Sequence, residues 1–360
     1  YEVLSSLVNS PRTANVAYRL TFNTTLAGII KRETAMTLSM EDGSWKVQWD
    51  DGLIMPELKG GNRLTLDYKI PTRGDIYDRQ GLELVTQSEA YAIGVIPGQI
   101  TEGTEKRLLS ELAELTGKPQ QWIKAMYENA VPSSYVPIGE APKQQVDARG
   151  SILNNLPGLQ VVDYKGRFYY NGGVAPHVVG YVQAIPREAL TEYRRNGYRG
   201  DEKVGMSGLE KWAENQLAGQ RGASLYVVDP NGSIITRLAQ VDSAPSQSIT
   251  TTLDKNLQIA AQKAIEGFRG AIVVLERDTG RVLAMVSTPG FDPNAFEPTS
   301  FNSFAQVQNL VADTRKPLLN RATQGLYPMG SIFKIITMAA ALETGLYTPE
   351  TKYNCGYTFT

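Results

Sequence analysis

The chain has 360 residues, 42% of them hydrophobic, with 36 Lys and Arg against 37 Asp and Glu, a formal net charge of −1. That balance describes an ordinary globular chain of two or three domains and excludes disordered and fibrous classes; without surplus cations it also argues against nucleic-acid binding. One His (His177) and one Cys (Cys355) rule out an intrachain disulfide, a Cys/His zinc cluster and a two-His metalloprotease helix.

No G-x-x-x-x-G-K-[ST] phosphate loop occurs, and no run of about 18 uncharged apolar residues is present to span a bilayer. A Ser-His-Asp triad would have to use His177. No cofactor and no metal are expected, so the chemistry must come from other side chains.

Residues 1–66 read as helix followed by sheet. Thr34 to Met40 alternates, Glu41-Asp-Gly-Ser44 is a turn, and Trp45, Val47 and Trp49 then fall on one face of a strand. Two Trp at period 2 would suit a ligand platform; the reading adopted is a half-buried sheet face packed on a helix.

Residues 67–241 form a second region. It opens with the charged, turn-rich Pro71-Thr-Arg-Gly-Asp-Ile-Tyr-Asp-Arg-Gln-Gly81, followed by a polar, helix-prone stretch from Thr104 through Asn129. Gly205-Met-Ser-Gly-Leu-Glu210 leads into a helix with Leu209, Trp212, Ala213 and Leu217 at helical spacing, ended by Gly219 and Gly222. Strands over 224–229 and 234–240 flank Asp229-Pro-Asn-Gly232, a hairpin turn.

Residues 242–360 make a third region. Its first nine residues read as a linker or strand lead-in. Asp254 is a good N-cap, and Leu257, Ala260, Ala261, Ala264 and Ile265 form a helical stripe. Ala271–Glu276 and Arg281–Ser287 are strands joined by Arg277-Asp-Thr-Gly280. With a second helix beyond, this predicts an antiparallel sheet with helices packed on it, in an α+β multidomain chain.

That second helix carries the chemistry. In Gln324-Gly-Leu-Tyr-Pro-Met-Gly-Ser-Ile-Phe-Lys334 the residues Pro328 and Gly330 break the chain, and an apolar run continues to Leu342. A helix apolar almost all round is expected to be buried. Its first turn holds Ser331 and Lys334 at i and i+3, on one face. A Ser hydroxyl needs a base to become a nucleophile. Burial and the positive end of the helix dipole both favour the neutral amine of Lys334, and the same N-terminus offers N–H groups to an oxyanion. Against this stands a Lys that merely snorkels from a core helix.

Tyr327-Pro-Met-Gly-Ser-Ile-Phe-Lys334 resembles the Y-x-P-G-S-x-F-K box of penicillin-binding proteins. Arg73-Gly-Asp-Ile-Tyr-Asp-Arg-Gln-Gly81 is similar to the box that opens the dimerisation, or pedestal, domain of class B members; Arg167-Phe-Tyr-Tyr-Asn-Gly172 and Gly205-Met-Ser-Gly-Leu-Glu210 resemble two further boxes. The Trp45/Trp49 segment with Ile54-Met-Pro56 looks like the end of the NTF2-like N-terminal domain of the methicillin-resistance type. Met329, Gln80 and Tyr170 depart mildly from the family pattern, in backbone stiffness more than in chemistry.

The resemblance implies a partial NTF2-like domain over 1–66, a mixed α/β pedestal over 67–241 and the start of a transpeptidase domain over 242–360. It implies D,D-transpeptidation of peptidoglycan stem peptides, with Ser331 as nucleophile, Lys334 as general base and β-lactams as covalent inhibitors. Arg73, Asp78, Arg79, Arg167 and Glu210 would form an ion-paired structural clamp. A membrane glycan polymerase and divisome or elongasome proteins would be partners, and an anchor outside this chain would hold it on the outer face of the bacterial cytoplasmic membrane. The family's S-x-N box and K-T-G strand are expected beyond Thr360, so the chain alone is expected to be inactive. A non-catalytic interaction module, or a β-lactam-hydrolysing or sensing relative, is the competing reading. His177 reads as a packing or turn residue and Cys355 as an unreactive thiol.

Overall fold

The computed structural model describes residues 1–352; Cys355 lies outside the described residues. β1 (Glu2–Ser10), β2 (Thr13–Thr24), β3 (Gly28–Glu41) and β4 (Ser44–Val47) form an antiparallel meander in that order. The helix expected at the start is a strand instead, paired with β2 from Glu2 opposite Arg19 to Ser10 opposite Thr13. Cross-strand partners decide it: Arg19 reaches Glu2 and Glu33, each at 2.7 Å, across three strands. Asp42 and Gly43, at φ of 50° and 76°, make the tight turn after β3.

The expected face of Trp45, Val47 and Trp49 is not packed on a helix among the described residues. Trp49 lies beyond β4 and is 66% exposed. The sheet buries Ala27 and Ile30 instead, against Met55 and Leu225 of the segments that follow and face it.

β5 (Arg63–Lys69) leads through a loop to the short β6 (Ile76–Tyr77). β7 (Glu83–Val95) is the spine of the middle region. The stretch read as polar then resolves into two helices, α1 (Glu105–Thr116) and α2 (Gln120–Tyr127). α1 buries Leu108, Leu109, Leu112 and Leu115, an i, i+1, i+4, i+7 face, and stops at Gly117, whose φ of 70° suits a left-handed C-cap. That face packs on Ile93 and Val95 of β7 and on Ile138 of β8 (Val136–Pro142). β9 (Leu159–Tyr169) covers the other edge of β7.

β10 (Val182–Ala184) and β11 (Lys203–Gly205) pair with each other, and helices Gly208–Trp212 and Glu214–Leu217 follow. Ala213 and Leu217 are buried, whereas Trp212 points outward and is 76% exposed. β12 (Gly222–Val228) lies between β5 and β13 (Ile234–Val241), with Asp229 accepting from the Ser233 N–H at 2.7 Å in the hairpin. The lead-in to the third region is β14 (Ile249–Thr250), parallel to β6.

Asp254 caps the helix Lys255–Ala264 by accepting from Leu257 N–H. The apolar stripe faces inward only in part: Ala261 is buried and Ile265 half-buried, whereas Leu257, Ala260 and Ala264 are exposed and Gln258 takes a buried place. Amide chemistry turns the helix. Gln258 brackets Met285 of the adjacent strand, accepting from its N–H at 2.7 Å and donating to its carbonyl at 3.0 Å, and Gln262 accepts from Ala175 N–H at 3.0 Å. β15 (Gly270–Leu275) and β16 (Val282–Thr288) form the antiparallel hairpin. The helices Ser303–Ala312 and Phe333–Glu343 complete an α+β chain.

Candidate active site and the clamp behind it

Ser331 sits in a single 3-10 turn, Gly330–Ile332, that runs into the helix Phe333–Glu343, with Lys334 on that helix's first turn. Gly330 has φ of 54°, so the expected elbow is present. The expected burial is not. Ile332, Phe333, Ile335 and Met338 are all at least half exposed, because no described sheet or helix packs against them; the hairpin is covered by Lys255–Ala264 and Arg321–Gln324 instead. Desolvation of Lys334, the physical cause invoked for a neutral amine, is therefore not supplied by the described residues. Among them, neither Ser331 nor Lys334 has a side-chain hydrogen-bond partner.

Three of the five expected clamp residues meet around Glu210, which has no solvent exposure. Arg167 on β9 donates from Nε to Glu210 Oε1 at 2.7 Å and from Nη1 to the Gly74 carbonyl at 2.7 Å. Arg73, in the loop before β6, donates from Nε to Glu210 Oε2 at 2.8 Å and lies 2.8 Å from Glu214. Burial pushes the Glu210 carboxyl up, but the guanidinium groups of Arg167 and Arg73 outweigh it and the net shift is downward. Burial likewise lowers Arg73, and the carboxylates of Glu210 and Glu214 more than reverse it.

Two glycines make room for this arrangement. A Cβ on Gly205 would lie 2.0 Å from the Glu210 carbonyl oxygen; one on Gly208, at φ 56°, would lie 2.4 Å from that of Val178. The glycine spacing of Gly205-Met-Ser-Gly208 thus sets the entry of the helix that carries Glu210.

Asp78 and Arg79, expected in the same clamp, are not part of it. The buried Asp78 accepts from the N–H groups of Gln80 (2.7 Å), Leu82 (2.8 Å) and Lys255 (3.0 Å). Burial raises its carboxyl, and these three donors bring it below the ordinary value. Arg79 donates its N–H to the Leu253 carbonyl at 2.8 Å and stands 3.6 Å from Glu276 at the surface. Both residues tie the middle region to the third one, because the short β6 turn meets the start of helix Lys255–Ala264. Sequence proximity to Arg73 concealed that division.

His177 is half-buried, hydrogen-bonded through Nε2 to the Pro317 carbonyl (2.7 Å) and edge-on to Phe291. Burial lowers its pKa.

Three residues that the sequence reading passed over dock the segment after β16 onto the middle sheet. Asn294 accepts from Tyr169 N–H at 2.9 Å and donates to Tyr169 carbonyl at 2.7 Å, replacing a strand along the free edge of β9. Glu297, fully buried, accepts from Arg167 N–H at 2.9 Å and pairs with Lys203. Asn302 donates to the carbonyls of Ile93 and Gly139 and to Glu140. The available signal was polar residues set among Phe291, Ala295 and Phe296, where only satisfied polar groups are tolerated.

The description "Penicillin-binding Protein dimerisation domain" fits residues 68–251, just over half of the chain. The chain belongs to the penicillin-binding proteins. Two further family descriptions flank that match: an NTF2-like N-terminal transpeptidase domain over 2–62 and a penicillin-binding protein transpeptidase domain over 270–358. Peptidoglycan D,D-transpeptidase MrdA of Escherichia coli strain K12 is 32% identical over 298 residues, 81% of this chain and 46% of that protein. Penicillin-binding protein 3 of Bacillus subtilis strain 168 is 28% identical over 94% of this chain and 50% of its own length. This penicillin-binding protein chain thus spans about half the length of these relatives. Among solved structures, PBP2 of Helicobacter pylori in complex with MreC matches at a TM-score of 0.53 and 26% identity, over 80% of this chain and 55% of that one. A peptidoglycan synthase complex that coordinates polymerization and crosslinking matches at 0.50 and 30% identity, over 84% and 53%.

Proposed function

We propose that this chain is part of a serine acyltransferase that cross-links peptidoglycan stem peptides. The observation that carries the reading is Ser331 followed one turn later by Lys334, directly after the Gly330 elbow, within the stretch that matches the transpeptidase domain. Lys334, as the free amine, takes the Ser331 proton while the hydroxyl oxygen attacks the penultimate D-Ala carbonyl of a stem peptide. The tetrahedral oxyanion collapses, the C–N bond breaks, and D-Ala leaves carrying the proton back on its amine. An amine of a neighbouring strand then attacks the ester, restoring the Ser331 hydroxyl and forming the cross-link. A β-lactam enters as a substrate mimic whose ring opens on Ser331.

The pedestal, in this reading, orients the transpeptidase region through Asp78, Arg79, Asn294 and Glu297. The ion pairs of the clamp support a structural role for Arg73, Arg167 and Glu210, since each charge is already paired with another, although the Arg167 Nη2 is buried without a partner. The solved complex of PBP2 with MreC and the peptidoglycan synthase complex that coordinates polymerization and crosslinking support assembly of this protein with other proteins of cell-wall synthesis. Among the described residues no helix is long and apolar enough to cross a membrane.

The deciding experiment treats the full-length gene product with a fluorescent penicillin. A covalent label on Ser331 that disappears in Ser331→Ala is expected. No label, or a label that survives the substitution, would leave the non-catalytic module as the better account.

A further inference from the structure

A cleft of about 360 Å³ opens where the connection between α1 and α2 faces the third region, within the roughly 300–1,000 Å³ typical of small-ligand sites. None of its walls comes from residues 324–352, which include Ser331 and Lys334. Two aromatic side chains line it with much of their surface open: Trp122 is 48% exposed and Phe268 71%. The Trp122 indole N–H has no partner among the described residues. Aromatic side chains converging with a few polar groups in one concavity are the composition of small-ligand sites.

The charges of the cleft are unequal. Lys118, Lys263, Arg269 and Arg315 line it against Glu266 and Asp292. Lys118 donates to the Ile138 carbonyl at 2.7 Å and lies 3.8 Å from Asp292, and Arg315 is held by Asp313 at 2.7 Å. Lys263 and Arg269 have no ion pair among the described residues, so they are free to take an anion.

We infer that this cleft binds a carboxylate-bearing glycan strand at a place separate from Ser331. A pyranose ring offers an apolar C–H face to Trp122 and Phe268 and a polar rim to the indole N–H. Lys263 and Arg269 take the lactyl carboxylate of N-acetylmuramic acid units that carry no stem peptide, since a stem peptide is joined to that same carboxyl as an uncharged amide. The inference rests on the peptidoglycan reading above, and it adds a hold on peptide-free stretches of the strand, apart from the stem peptides that Ser331 would take.

The test uses the full-length protein and two probes, followed by calorimetry. One is a peptide-free chain of alternating N-acetylglucosamine and N-acetylmuramic acid; the other is a neutral chitin oligomer of equal length. Saturable binding of the first, at least about tenfold tighter than the second, is expected. The double substitution Lys263→Glu with Arg269→Glu should weaken it by about tenfold or more, while penicillin labelling of Ser331 is unchanged. Trp122→Ala should weaken both probes. No saturable binding, equal affinity for the neutral oligomer, or an unaltered double variant would overturn the inference; so would an acidic peptide that displaces the glycan at equal concentration. Glycan binding without penicillin labelling would instead sink the catalytic reading and leave the cleft standing.

Discussion

Arg167 donates from Nε to Glu210 Oε1 across 2.7 Å, joining β9 to the helix Gly208–Trp212 where neither side chain meets solvent appreciably. Such a pair is weak evidence of net stability against an apolar replacement, but breaking it is costly, because the remaining charges are buried alone. Glu210→Ala is therefore expected to destabilise the protein by about 3–5 kcal/mol, read from denaturant unfolding. A loss under about 1 kcal/mol would mean that Arg73 and Arg167 find other partners.

The same carboxylate sets an acid limit. Its folded pKa lies below its ordinary value of 4.5, so its contribution is present above about pH 4.5 and is lost as pH falls through the folded value. Melting temperature followed from pH 7 to pH 3 should drop more steeply for the parent than for Glu210→Gln. Parallel curves would refute the linkage.

Glu140 has the opposite sign. Burial raises its carboxyl to about 7, with Asp292 adding repulsion, while Lys118, Asn302 and Ser300 pull the other way. Its Oε2 is buried without a partner. Between about pH 4.5 and 7 the folded state holds the extra proton, so this group's effect is that stability falls as pH rises. Glu140→Gln should raise the melting temperature at pH 8, by a few kcal/mol in unfolding free energy at most, and change little near pH 4.5. Equal effects at both pH values would count against the shift.

Asn294 supplies both hydrogen bonds to Tyr169 on the open edge of β9. Asn294→Ala leaves that N–H and carbonyl to find water or stay unpaired, at about 1–3 kcal/mol for each group left buried. Hydrogen exchange should accelerate at Tyr169 and, through loosening of Glu297, at Arg167. Unchanged protection at both amides would mean that the docked segment is held by Phe291 and Phe296 alone.

Lys334→Ala in the full-length protein should lower the rate of Ser331 acylation by about 10²–10⁴-fold, the usual worth of a positioned base. Stopped-flow measurement at several β-lactam concentrations separates this from weaker binding. A rate within about threefold of the parent would remove Lys334 from the role.

Local chemistry made much of this protein readable in its sequence. The Gly330 elbow, the Ser331–Lys334 spacing, the Asp254 cap, both hairpins of the later regions and the order of the three regions all rest on contacts a few residues long. The clamp was legible only as a set of boxes. Which members meet depended on β9, the loop before β6 and the helix after Gly208 converging, and that convergence put Arg73, Arg167 and Glu210 together and sent Asp78 and Arg79 elsewhere. Tertiary structure alone decided the rest. Residues 2–10 became a strand because β2 was there to pair with them, and helix Lys255–Ala264 turned its glutamines inward because β16 and Ala175 offered main-chain groups to bind. The all-round apolar composition of the helix after Ser331 predicts burial, but burial needs a second surface, and a one-dimensional pattern does not supply what covers it.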